Sequence, residues 1–190
     1  MSNPGTPARE GKLRLVTLGD ATLQRVPPGG GPPEEVLSPG KPFAVLVYLA
    51  STPGRSATRD HLIDLLWANL ELDAARHALR QALWYLRKQL GRESIRGDDG
   101  TLHLSVPLSS DRDAFLHAVE AGDRPRAVET YGGEFLPVYA APGGAEFEKW
   151  VDTERYRLRK HFLRAARSLA RDRLERGAFA EATGLAARAR

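Results

Sequence analysis

Arg76, His77, Arg80, Gln81, Trp84, Tyr85, Arg87 and Lys88 crowd into one stretch, DAARHALRQALWYLRKQLGRESIR, running from Asp73 to Arg96. A guanidinium can grip both acceptors of guanine in a DNA major groove, and a glutamine amide can do the same for adenine. The leucines Leu79, Leu83, Leu86 and Leu90 recur at spacings of four, three and four. At about 100° per residue they share one side of a helix with Ala75 and Ala82. Arg76, Arg80 and Arg87 then lie to one flank, and His77, Gln81, Trp84 and Lys88 lie opposite the leucines. Two readings stay open on this window. The cationic arc is either the solvated face of a core helix or a surface built to meet base edges and phosphates.

The charge distribution favours a polyanion-facing surface. The chain of 190 residues has a net charge of +4. Arg76–Arg96 holds six basic residues against one acidic, and Gly97–Lys149 holds four basic against ten acidic. Trp150–Arg190 is basic again, with eleven cations against five anions. A short basic block beside an acidic one marks one face for a negatively charged partner. The basic C-terminal stretch is a competing candidate.

The elements that must position these residues follow from pattern. Residues up to about Gly11 read as disordered. Leu13–Leu18 and Ala21–Val26 read as short strands, Pro27–Pro33 as a loop, and Glu35–Leu37 as a returning strand. Pro42–Ala50 is a compact apolar helix closed by the Thr52-Pro53-Gly54 turn. Thr58 can cap the next helix, His61–Leu70, with Asp60 in its first turn. The basic helix follows and ends near Gly91. A turn at Gly97-Asp98-Asp99-Gly100 before the alternating Leu102, Leu104 and Val106 predicts a β-hairpin. Two angled helices, the second basic, followed by a hairpin, make a winged helix-turn-helix.

Pro107–Ser109 reads as a joint, with Ser110 and Asp113 as a partial capping box. Beyond it the pattern is helical. AVEAGDRPRAVETY and RLERGAFAEATGL match each other, with Gly122 and Gly177 each five residues before an alanine. Small residues at those places suggest close antiparallel helix pairs of tetratricopeptide type, interrupted by an insertion at Gly132–Lys149. Phe147, Trp150, Val151, Tyr156 and Leu158 are expected to pack inside that bundle.

These pieces resemble a known family. LIDLLW, ALRQALWYLRKQLG and IRGDDG are similar to the OmpR/PhoB-type winged-helix domain. DRDAF, AGDRPRAVETYGGEFLP and FEKWVDTERYRLR look like a bacterial transcriptional activator domain. The pair in this order resembles the antibiotic-regulatory-protein (SARP-like) transcription activators. The implied fold is an α+β winged helix-turn-helix domain with an N-terminal β-sheet (residues 12–107). An all-α tetratricopeptide-like helical domain (108–190, truncated relative to the family) follows it. The resemblance implies a third helix in the major groove, with Arg76, His77, Arg80, Gln81, Trp84, Tyr85 and Lys88 at the outward positions. It places Arg96, before Gly97, as the wing arginine of the minor groove, and Arg87 as a phosphate contact. An arginine on a hairpin tip suits a narrow, negative groove. Trp84 and Tyr85 depart from the family's small or basic residues. Such rings can pack on a thymine methyl or a sugar; docking onto the helical domain or a neighbouring protomer is the preferred reading.

The implied partners are double-stranded DNA bound as direct repeats by a homodimer, and RNA polymerase. The alternative is a protein-interaction adaptor whose winged helix does not bind DNA. Cysteine is absent, which excludes disulfides and thiolate metal sites. No P-loop or HExxH spacing occurs, and neither a cofactor, a metal nor an enzymatic activity is expected. The polar start carries no signal-peptide pattern, and no apolar run is long enough to span a bilayer. The expectation is a cytoplasmic, nucleoid-associated protein without membrane contact.

Overall fold

The computed structural model describes residues 11–137 and 144–189. The disordered start expected through Gly11 concerns, apart from Gly11 itself, residues outside these. Strand β1 (Lys12–Val16) pairs antiparallel with β2 (Thr22–Val26), and β2 pairs with β3 (Glu34–Leu37). Helix α1 (Lys41–Ser51) takes Pro42 in its first turn, where a missing N–H is harmless. Its run Phe43–Val47 is wholly buried. A three-residue strand, β4 (Ser56–Thr58), follows, which the sequence pattern did not suggest.

Helix α2 (Arg59–Trp67) starts as expected, the Thr58 hydroxyl accepting a hydrogen bond from the His61 N–H at 3.2 Å. It stops three residues earlier than the periodicity suggested. Lys41 donates to the Leu66 carbonyl and lies 5.3 Å from the Trp67 ring centre. A cation on a terminal carbonyl satisfies the helix end there, and Leu70 is left half exposed. Helix α3 (Leu72–Leu90) is the basic helix, followed by a single 3-10 turn at Arg92–Ser94.

The hairpin is β5 (Ile95–Asp98) and β6 (Thr101–Leu104), with Asp98 opposite Thr101. Its turn is therefore only Asp99-Gly100, both with positive φ, the geometry that matches strand twist. Strand β4 pairs with β6 and makes this wing three-stranded.

The expected joint is itself a strand. Leu108–Ser110 form β7, which adds to β1 in parallel, so the first sheet runs β3-β2-β1-β7. Alternation of Leu108, Ser109 and Ser110 was too short a signal to separate from a linker. The helical half then comprises α4 (Asp111–Glu120), α5 (Arg124–Thr130), α6 (Ala145–Glu175) and α7 (Phe179–Arg188). The Ser110 hydroxyl accepts from the Asp113 N–H at 3.3 Å. The Asp113 carboxylate turns to Arg112 and Arg55 instead of completing a capping box.

Gly122 and Gly177 do not serve close helix approach. A side chain at either would meet no neighbouring heavy atom within 4 Å. Both instead hold positive φ just past a helix end. The next N–H reaches back, from Asp123 to the Ala118 carbonyl and from Ala178 to the Arg173 carbonyl, each at 2.9 Å. This is the αL termination that glycine adopts without Cβ strain. The close packing belongs to Ala127 and Ala182, both buried. Of the residues expected inside, Phe147, Val151 and Leu158 are buried. Tyr156 is 71% exposed, a correction: its position on α6 faces away from α4 and α5.

Four sets of contacts join the helical half to the first sheet and to α1. The Asp111 carboxylate accepts from the Thr17 N–H at 2.9 Å, the Thr17 hydroxyl at 2.8 Å and the Leu18 N–H at 2.8 Å. The start of the supposed insertion, 132–136, is a clasp, with the Gly19 N–H donating to Glu134 O at 2.9 Å and the Leu136 N–H to Thr17 O at 2.8 Å. A Cβ on Gly132 would stand 2.5 Å from the Leu18 oxygen, so only glycine fits this approach. Buried Arg112 gives two hydrogen bonds to Glu154, at 3.0 and 2.9 Å, and one to the Ser51 carbonyl at 3.3 Å. Trp150 sits edge-on to Tyr48 of α1, centroids 5.0 Å apart.

Removing the Asp111 carboxylate leaves the N–H groups of Thr17, Leu18 and Arg112 without that acceptor. Asp111→Ala is expected to lower stability by about 1–3 kcal/mol, read as a drop in urea midpoint; an unchanged midpoint rejects this role of the Asp111 carboxylate. Glu154→Ala, which removes the buried partner of Arg112 and leaves it only Asp113 and the Ser51 carbonyl, is expected to lower stability further, by about 3–5 kcal/mol.

Candidate nucleic-acid interface

The interface is built by what α3 buries. Ala75, Leu79, Ala82, Leu83 and Leu86 are in the core, and Leu90 packs partly against it. Fixing that stripe inward turns Arg76, His77, Arg80, Gln81, Trp84, Tyr85 and Lys88 outward, and all seven are exposed. The helical half does not cover them. From Arg76 to Lys88 the arc spans about 18 Å, the reach of a helix laid along a major groove.

The side chains are held lightly. Arg76 stands 3.7 Å from a fully exposed Asp73 carboxylate, a weak surface pair. His77 and Gln81, one turn apart, lie 3.4 Å from one another. Arg80 makes no ion pair or hydrogen bond with the described residues. Lys88 lies over the Trp84 ring at 5.1 Å. Trp84 is 58% exposed and Tyr85 39% exposed. Of the two dockings expected for Trp84, the one onto the helical half is therefore not made.

Two placements differ from expectation. Arg87 is half-buried, and its Nε and Nη2 both donate to the Ile95 carbonyl, at 3.0 and 2.9 Å. It ties the end of α3 to the first wing strand, a role that the resemblance, which implies a phosphate contact, did not suggest. Arg96 is not at the hairpin tip. It stands in β5 opposite His103, on the exposed side of the strand, and pairs at 3.3 Å with exposed Glu93.

One cation escaped sequence reasoning. The Arg59 N–H, at the start of α2, donates to the Gly100 carbonyl at 2.9 Å. Its guanidinium lies so near the wing that a Cβ on Gly97 would stand 3.0 Å from Nη2. An arginine directly after an N-cap, at a helix N-terminus beside the wing hairpin, is the signal that could have pointed to it.

Among the described residues no group of three or more His, Asp or Glu side chains could hold a metal ion, and no helix is long and apolar enough to cross a membrane.

A winged helix with an uncovered, cationic third helix is an architecture suited to a polyanionic duplex. Residues 34–99 match the family described as "Transcriptional regulatory protein, C terminal". That span runs from β3 to the tip of the wing, so this part of the chain is a winged-helix domain of the OmpR/PhoB type. The chain is also 29% identical over 196 residues to "Regulatory protein AfsR" of Streptomyces griseus. That match covers 94% of this chain and 19% of the relative, so the chain spans about a fifth of that protein's length. Both likenesses are to regulatory proteins.

The anchoring role of Arg87 has a direct readout. Arg87→Ala is expected to cost about 1–2 kcal/mol of stability and to speed amide hydrogen exchange in β5 more than in β1. Equal protection of both strands rejects it.

Proposed function

We propose that α3 enters the major groove of double-stranded DNA, with His77, Arg80 and Gln81 reading base edges. Arg76 and Lys88 meet phosphates at its two ends. Arg96 reaches the adjacent minor groove from the wing, and Arg59 adds a phosphate contact at the start of α2. The single observation that carries this reading is the uncovered α3 arc, in which Arg80 is left without a partner among the described residues. Trp84 and Tyr85 supply apolar area against thymine methyl groups or sugars, or against a second protomer on neighbouring DNA.

In this reading the protein is an activator. It binds direct repeats as a side-by-side dimer, with half-sites about one helical turn apart. The helical half contacts RNA polymerase, as the family resemblance implies. Phosphate neutralisation supplies most of the affinity, so binding weakens steeply with salt.

Selection of bound fragments from random or genomic duplexes supplies the cognate sequence. On it, Arg80→Ala is expected to lose about 1–3 kcal/mol of binding, with much less lost on random duplex. Arg76→Ala is expected to weaken both alike and to reduce the slope of log K against log salt by about one unit. Equal losses for Arg80→Ala on cognate and random DNA overturn base reading by that residue. No DNA binding at low salt overturns the proposal as a whole.

A further inference from the structure

We propose that the outer face of α6, from Tyr156 to Arg171, is a docking groove for an acidic amphipathic protein segment. The groove is separate from the α3 arc and does not depend on the DNA reading. It has a volume of about 640 Å³ and is lined by Tyr156, Lys160, Leu163, Arg164, Arg167 and Arg171 among others. The four cations named recur at spacings of four, three and four, so they form one stripe about 16 Å long on the helix. Tyr156, 71% exposed, and partly buried Leu163 lie seven residues apart beside that stripe.

Three other arginines of α6 are paired. Arg155 pairs with Asp152 at 3.1 Å, Arg157 with Glu154 at 2.9 Å and Arg173 with Glu181 at 3.1 Å. Lys160, Arg164, Arg167 and Arg171 have no such partner among the described residues. Like charges three and four residues apart destabilise a helix. This stripe therefore carries an unrelieved repulsion in the free chain that a line of carboxylates would remove. The local potential is felt by His161, whose pKa is pushed below the usual imidazole value, first by burial and then by Arg157, Arg164 and Lys160.

The apolar footholds decide between classes of polyanion. A duplex backbone offers phosphates and sugars but no side chain to seat between Tyr156 and Leu163. An acidic helix with Asp or Glu at matching spacing and a flanking leucine offers both. Such a partner is recognised by charge-assisted hydrogen bonds from guanidinium to carboxylate, with apolar contact fixing the register.

The probe is a synthetic three-turn helical peptide with four glutamates at spacings of four, three and four and two leucines seven residues apart. Its control is a scrambled peptide of identical composition. Binding to the full chain is read by fluorescence anisotropy at low and physiological salt. Lys160→Ala/Arg164→Ala/Arg167→Ala is expected to weaken binding of the ordered peptide at least about tenfold, or 1.4 kcal/mol. Tyr156→Ala is expected to weaken it by a smaller factor. All four side chains lie on the outer face of α6, and an unchanged circular dichroism spectrum confirms that the variants fold. Arg80→Ala is expected to leave peptide binding as it is, which separates this test from that of the DNA interface. Equal binding of the scrambled peptide, or no effect of the triple substitution, overturns the proposal. So does a triple variant that loses random-duplex affinity while no peptide binds, which would make the stripe a DNA contact.

Discussion

The orientation of the candidate interface depends on the burial of Leu79, Leu83 and Leu86 under α3. Each such side chain removed from water contributes about 1.5–3 kcal/mol. The helix cannot rotate about its axis without exposing them. Because side chains advance by about 100° per residue, fixing the leucines inward also fixes Arg76, Arg80 and Gln81 outward. A single-residue slip in this pattern would turn the guanidinium groups into the core, where an unpaired charge is not tolerated. The apolar stripe thus sets where the cations point, although it touches no partner itself.

The second constraint is the way the helical half is tied down. Asp111 holds two N–H groups at the end of β1, β7 extends the same sheet, and the Gly132–Leu136 segment clasps Thr17 and Gly19 from the other side. Arg112 joins the end of α1 to α6 through Glu154. A buried ion pair of this kind adds little net stability over apolar packing, but breaking one half is strongly destabilising. Such a contact suits fixing one arrangement of the two halves more than raising total stability. The result leaves the α3 arc uncovered while α6 projects its own unneutralised stripe.

Much of this was legible in the chain. The 3.6-residue leucine spacing placed α3, the Thr58 cap placed the start of α2, and the alternation after Ile95 placed the wing. The outward residues of α3 followed from the same periodicity, since helical geometry is local and repeats every turn. What could not be read were β4 and β7, each three residues long, because strands that short carry no periodic signal and exist only through their partners. Nor could the sequence show that Gly122 and Gly177 end helices instead of admitting neighbours. Composition is the same in both cases, and only φ and the surrounding space distinguish them.

The amino-acid sequence by itself determined the order of elements, the apolar stripe of α3 and the cationic arc opposite it, because these depend on spacing along one helix. Tertiary structure alone decided that Arg87 serves the wing, that Arg59 joins it, that Tyr156 faces outward and that Trp84 is left exposed. Those outcomes depend on which distant backbone carbonyl or helix comes within about 3–4 Å, and hydrogen bonds and packing contacts act only over that range.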